Sequence, residues 1–258
     1  MVNTVSTSWQ SIPAQVIEQE QILAAIDMGT NSLHMVVVSI EPKLPAFTII
    51  TREKETVRLG DRDIETGELK PEVIARAIAT LRRFQDIAKS CNADSIIAVA
   101  TSAVREAPNG REFLHQVREE IGLSVDLISG YEEARRIYLG VLSGMEFNNQ
   151  PHAIIDIGGG STEIVLGDSH EPRSLSSTKI GAVRLTSEFI TTDPISNIEY
   201  QYLQAYVRGM LERAAEDLHS HLQPGEIFRL VGTSGTIETV ATIIAREKTG
   251  TVPSPLSG

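Results

Sequence analysis

A chain that writes the same hairpin twice is constrained to fold as two similar halves. One copy, AIDMGTNSLHMVVV, opens at Ala25, and the other, IIDIGGGSTEIVLG, opens at Ile154. The copies align Asp27 with Asp156, Gly29 with Gly158, Ser32 with Ser161 and His34 with Glu163, at a spacing of 129 residues. Each is an apolar, β-branched strand that ends on an aspartate, turns through small and hydroxyl-bearing residues, and resumes as a second strand. Glycines let backbone N–H groups approach an anion, Ser and Thr add donors, and the aspartate stands ready for a cation. Two such turns facing each other would make a phosphate-binding cleft.

The remaining pattern extends the repeat. Residues 22–27, 33–40 and 47–53 read as strands, and a polar loop covers 60–69. Pro71 then sits where a first helical residue belongs, with Val73, Ile74, Ala77, Ile78, Leu81, Phe84 and Ala88 recurring on one face. A strand over 95–100, a helix over 111–121, a strand over 125–128 and a helix over about 132–142 complete a first half, residues 22–150, behind a polar tail, residues 1–21. The second half, residues 151–258, repeats this order. It has strands over 153–156, 163–166 and 172–180, then a long helix from a capping box, Ser196 with Glu199, to about His221. A strand over 227–231 and a helix over 236–245 follow. Three strands followed by alternating helix and strand make an α/β fold with mixed sheets flanked by helices. The counterparts of the first half's last strand and helix would fall beyond Gly258, and TGTVPSPLSG reads as coil, so the second half is expected to be truncated. Apolar surface left open in this way is expected to lower stability or to pair two copies as a homodimer.

Composition narrows the class. A net charge of −11 argues against a nucleic-acid or membrane surface, which needs a broad basic field. The single cysteine, Cys91, precludes an internal disulfide and a cysteine-built zinc site. No apolar run approaches a membrane span and the N-terminus is unlike a secretion signal, so the cytoplasm is the expected location. The six histidines form no metal pair: His219 and His221, two apart on a helix, face different ways.

The candidate site residues follow from charge and position. A carboxylate at the end of a buried strand needs a cation or a helix N-terminus, which makes Asp27 and Asp156 metal candidates. A lone aspartate would more simply cap its own turn; two copies at domain scale point to a site. Glu163, seven residues after Asp156 on the outgoing strand, can share one Mg²⁺ with it, and Asp27 is the reserve ligand. The phosphate donors are Gly29, Thr30, Asn31 and Ser32 in the first turn and Gly158, Gly159, Gly160, Ser161 and Thr162 in the second. A third small-residue turn, Gly232 to Thr236, offers Gly232, Ser234 and Gly235. Ser129 and Glu132 have capping-box spacing, which puts Glu132 and Glu133 in a first helical turn, where the macrodipole favours carboxylates. Arg105 lies on a loop after a strand, with Glu106 as its obvious surface partner.

The strings IDMGTNSLHMVV, ATSAVREAPNGREFL, ISGYEEARRIYLGV, IDIGGGSTEIVLG and VGTSGTIETVA together resemble the exopolyphosphatase and guanosine pentaphosphate phosphohydrolase family, over about residues 24–245. The resemblance implies two ribonuclease H-like domains of the actin, sugar kinase and Hsp70 superfamily. It maps the catalytic glutamate onto Glu133, implies the Asp156 and Glu163 pairing, places Arg105 as a phosphate clamp, and turns the 232–236 segment toward the phosphate chain. The reading is a Mg²⁺-dependent phosphohydrolase of inorganic polyphosphate, with guanosine pentaphosphate as the alternative substrate. A kinase of the same superfamily and a non-catalytic polyphosphate- or alarmone-binding module are the other classes.

Overall fold

The repeated hairpins are the centres of two mixed sheets. The computed structural model describes residues 20–41, 46–148 and 150–250. In the first sheet β1 (Gln21–Met28) and β2 (Ser32–Ile40) pair antiparallel and β3 (Phe47–Thr56) extends them. On the other side β4 (Ser95–Ala100) and β5 (Asp126–Leu127) add in parallel, giving the order β3-β2-β1-β4-β5. The second sheet repeats this with β6 (His152–Ile157), β7 (Thr162–Gly167), β8 (Pro172–Thr178) and β9 (Arg229–Thr233) in the order β8-β7-β6-β9. This is the α/β architecture of two mixed sheets that the element order implied.

The helices form where the sequence supplies starts and faces. Helix α1 (Pro71–Ser90) opens on its proline and buries the seven-residue stripe's Val73, Ala77, Ile78, Leu81, Phe84 and Ala88 against the first sheet. Cys91 is its C-cap. Short α2 (Ser102–Glu106) follows β4, and α3 (Gly110–Ile121) ends on Gly122 at φ 67°, where glycine has no steric penalty. Helix α4 (Gly130–Gly144) is capped by Ser129. After β8 come α5 (Ala182–Phe189), α6 (Asn197–Ser220), whose Ser196–Glu199 capping box is complete in both directions, and α7 (Ser234–Thr249). The sequence pattern misses α2 and α5, because one or two turns carry too few residues to show a period; α5 has no buried residue at all.

Helix α4 places its apolar face on the second sheet. Its Ala134 and Tyr138 are buried with Phe147, Ile154 and Val165, and Tyr138 Oη donates to the Asp168 carbonyl at 2.7 Å. The sequence division at residue 150 thus assigns α4 to one half while its packing lies with the other. The opposite face of that sheet is covered by α6 through Ala214 and Leu218. Strand register shows what the first sheet has at the α4-covered positions: Ala25, Val36 and Ile97 stand where Ile154, Val165 and Val231 stand in the second. Ile154 and Val165 are fully buried, whereas Ile97 is 47% exposed. At the far edge of the second sheet, β9 carries Leu230 at 67% exposure. No counterpart of β5 lies among the described residues; of the expected coil TGTVPSPLSG, Thr249 is instead the last residue of α7 and Gly250 its C-cap, and the rest lies outside the described residues. None of the described helices is long and apolar enough to cross a membrane.

Because α4 is anchored by one large side chain, Tyr138→Ala should lower the free energy of unfolding by about 3–5 kcal/mol, while Tyr138→Phe, losing one hydrogen bond, should cost about 1 kcal/mol. Urea titration followed by circular dichroism measures both. An alanine variant within about 1 kcal/mol of the parent would show that α4 is not held this way.

Candidate functional site

The strand registers bring two rows of side chains to the cleft. Residues directly opposite on neighbouring strands share a face. Across the first sheet the row is Val99, Asp27, His34, Lys54, and across the second it is Thr233, Asp156, Glu163, Ser177. The same backbone positions hold His34 and Lys54 in one half and a carboxylate and a hydroxyl, Glu163 and Ser177, in the other. All but Thr233 and Ser177 line a single cavity of about 900 Å³ between the sheets.

The turns that end these rows meet. Gly29 N donates to Ser32 O at 3.2 Å and Gly158 N to Ser161 O at 3.0 Å, so both turns close in the same way. Thr30 Oγ1 and Ser102 Oγ lie 3.0 Å apart and pack onto the second turn. A Cβ on Gly160 would stand 2.5 Å from Ser102 Oγ and 2.6 Å from Thr30 Oγ1, and one on Gly159 would stand 3.1 Å from Thr30 Cβ. Glycine at these positions is therefore a requirement of the contact between halves. Gly29, Thr30, Asn31, Ser32, Gly158, Gly159, Gly160 and Ser161 all line the cavity.

Two of the expected donors do not. Thr162 is buried in β7 and its hydroxyl donates to the Ile180 carbonyl. Gly232 serves packing, since a Cβ there would meet Ile237 at 2.6 Å. Its neighbours Ser234 and Gly235 do line the cavity. Ser234 sits at φ 76°, an uncommon conformation for a side-chain-bearing residue, and its hydroxyl donates to the Ile157 carbonyl at 2.7 Å.

Four carboxylates converge on this space: Asp27, Glu133, Asp156 and Glu163. Glu163 is 2% exposed; burial first, then the charges of Glu133 and Asp156, push it up to about 8, against hydrogen bonds from Ser177 and Ser161. The Ser177 bond measures 2.7 Å. Asp27 is open to the cleft and otherwise surrounded by protein, and that surrounding, with Glu133 and Asp156, pushes it up to about 7. Since its carboxyl still meets solvent, the shift describes a wet cleft floor rather than a sealed core. Asp156 is raised by burial. Glu133 is raised by burial and opposed by Arg105, whose Nη1 donates to Glu133 Oε2 at 3.3 Å and to the Ile128 carbonyl at 2.8 Å. Burial lowers the His34 pKa, as does the neighbouring Lys54.

The expected partners of two acids change. Glu106 does not pair with Arg105; it is held by Arg184 at 2.6 Å, with Arg62 at 3.8 Å and Lys179 at 4.0 Å. Ser129 caps α4 by accepting from Glu132 N at 3.1 Å, but the Glu132 carboxylate turns to Arg135 and Arg136 instead of completing a box. These arginines draw it down to about 2. Lys54, Ser102, Ser177 and Arg184 belong to the site and carried no signal in the sequence, because only strand register and the meeting of the halves bring them in. Among the described residues no group of three or more His, Cys, Asp or Glu side chains is arranged to hold a metal alone. The donor set still suits Mg²⁺, which takes one or two carboxylates and completes its shell with water and phosphate oxygens. A cation would also relieve the repulsion that raises these pKa values.

Residues 36–253 match the model of the Ppx/GppA phosphatase family. Exopolyphosphatase 2 of Mycobacterium tuberculosis is 33% identical over 229 residues, 86% of this chain and 70% of that protein. A guanosine-5'-triphosphate,3'-diphosphate pyrophosphatase of Aeromonas hydrophila is 33% identical over 91% of this chain and 46% of that protein. The crystal structure of an exopolyphosphatase from Cytophaga hutchinsonii superposes with a TM-score of 0.81 at 29% identity, covering 90% of this chain and 73% of that one.

The raised carboxylates fix a sign for stability against pH. Asp27 and Glu163 bind protons more tightly folded, at about 7 and about 8, than their ordinary values of 3.8 and 4.5. Their contribution is full below pH about 4 and is lost as pH rises through 7 and 8. In a chelating buffer the melting temperature should therefore fall between pH 5.5 and 8.5, and Glu163→Gln should flatten the slope. A metal-free protein that gains stability over that interval would contradict the assignment.

Proposed function

This chain belongs to the Ppx/GppA phosphatase family, and we propose that it releases the terminal phosphate of inorganic polyphosphate. The observation that carries this reading is the pair of donor turns facing each other across four carboxylates, with an arginine beside one of them. Such a site gives phosphoryl transfer what it needs, positioning and charge compensation. The turns Gly29–Ser32 and Gly158–Ser161 hold the end of the chain. Glu133, whose pKa burial raises toward the working range of a general base, takes the proton of the attacking water. Arg105, which lies against Glu133 and lines a smaller pocket that shares Ser161 with the main cavity, is the cation that would compensate charge developing on the phosphoryl group. Asp156, Glu163 and Asp27 are the side chains that would hold Mg²⁺, which when bound neutralises phosphate oxygens.

The cleft also bears on substrate. Among the described residues no Phe, Tyr or Trp lines it, and its planar groups are His34 and Arg136; the scarcity of aromatic surface favours a baseless polyphosphate. Guanosine pentaphosphate is the second reading, supported by Ile137 and Val240, which give the cavity an apolar patch beside Gly235 and Arg136. The charge balance and lone cysteine suit the cytoplasm.

Phosphate release from polyphosphate, guanosine pentaphosphate and ATP, compared with and without Mg²⁺, tests this directly. Release should be fastest from polyphosphate and should require the metal. Glu133→Gln keeps size and hydrogen bonding while removing the proton acceptor, so turnover should fall by about 10² to 10⁴ with substrate binding retained. Glu132→Gln should change turnover little. Equal losses in the two variants would remove Glu133 from the base role. Separately, Asp156→Asn should raise the Mg²⁺ concentration needed for half-maximal activity more than it raises KM for polyphosphate; the reverse order would displace Asp156 as a ligand.

A further inference from the structure

The turn Gly158–Ser161 is held from behind. Ala182 N donates to Gly158 O at 2.9 Å, and Val183 N and Arg184 N both donate to Gly159 O at 3.0 Å. The third carbonyl, Gly160 O, accepts from the Arg184 side chain, Nε at 2.8 Å. In a planar trans peptide the C=O and the following N–H point in opposite directions. Fixing these three carbonyls on α5 therefore aims the N–H groups of Gly159, Gly160 and Ser161 away from it. Among the described residues none of these three N–H groups donates to a protein acceptor. They form a concave set of free donors, the form in which backbone binds an anion.

Arg184 is itself held across the cleft. Its Nη2 donates to Glu106 Oε2 at 2.6 Å, and Glu106 is at the end of α2, in the first half. Glu106 is 13% exposed and also has Arg62 and Lys179 near it; Glu188 faces the other side of Arg184 at 3.6 Å.

We propose that Glu106 and Arg184 are positioning residues, a cross-cleft strut that holds the Gly160 peptide and so makes the donor set of the phosphate turn depend on the approach of the two halves. This rests on the reading of that turn as a phosphate-binding element. The strut acts through the turn, without touching substrate, so its loss should appear in binding rather than in chemistry. Arg184→Lys is informative because it keeps the charge against Glu106 and cannot supply the Nε bond to Gly160 together with it.

The test uses the whole chain, with tripolyphosphate as probe. Binding is measured by calorimetry in the Glu133→Gln background, and steady-state kinetics are measured in the active background. Arg184→Gln, Glu106→Gln and Arg184→Lys should each raise KM and the calorimetric Kd about tenfold, leaving kcat within about threefold. The Arg184→Gln, Glu106→Gln double variant should be no worse than the poorer single, as members of one unit are non-additive. Glu188→Gln should match the parent. A kcat loss of about 10² or more in Glu106→Gln at unchanged KM would make Glu106 the base and overturn the strut. Additive effects, or unchanged Kd in Arg184→Lys, would overturn it equally. If Arg184→Gln unfolds, Arg184→Lys decides, its melting temperature confirming the fold. A parent that binds tripolyphosphate without hydrolysing it would refute the proposed activity while the Kd comparison still judges the strut; a parent that does neither refutes both.

Discussion

The site depends on two turns approaching closely enough that a single methyl group would separate them. Gly160 lies under Thr30 Oγ1 and Ser102 Oγ at distances that leave no room for a Cβ. That contact sets the width of the cleft and the facing of its donors. It also brings Asp27 near the charges of Asp156 and Glu133, which come from the other hairpin and from α4. The absence of a side chain in the glycine run is thus what admits the opposite turn.

Crowding four carboxylates in one cavity is unfavourable unless something offsets it. The protein offsets part of it with hydroxyls, Ser177 and Ser161 on Glu163. Arg105 offsets part of it at Glu133. The remainder stands as raised pKa values. The two rows differ in how they handle the same problem, because the first half places His34 and Lys54 where the second places Glu163 and Ser177. The backbone repeats while two row positions differ, so that Lys54 adds a positive charge in one half and Glu163 a carboxyl in the other.

Helix α4 ties these features together. Its first turn carries Glu133 to the cleft, while Ala134 and Tyr138, on its apolar face, are buried on the second sheet. The base candidate is therefore contributed by a segment that precedes the second half in sequence and packs with it in space.

The sequence by itself determined the repeat, the element order, the strand-end aspartates, the glycine turns and the first-turn glutamates. Each of these is written in local spacing, where a period of 2 or 3.6 or a cap motif has a direct structural meaning. Only the tertiary structure decided which acid pairs with which base. Arg105 is next to Glu106 in the chain but reaches Glu133, 28 residues away, and Glu106 turns to Arg184, 78 residues away. Gly232 and Thr162 look like donors in the string and are packing residues in the fold, because whether a small residue faces a cleft or a neighbouring side chain is a matter of what packs against it. Lys54, Ser102 and Ser177 come to the site through strand register and the meeting of two halves, and these are set by burial of apolar faces between segments far apart in the chain, a property no local window contains.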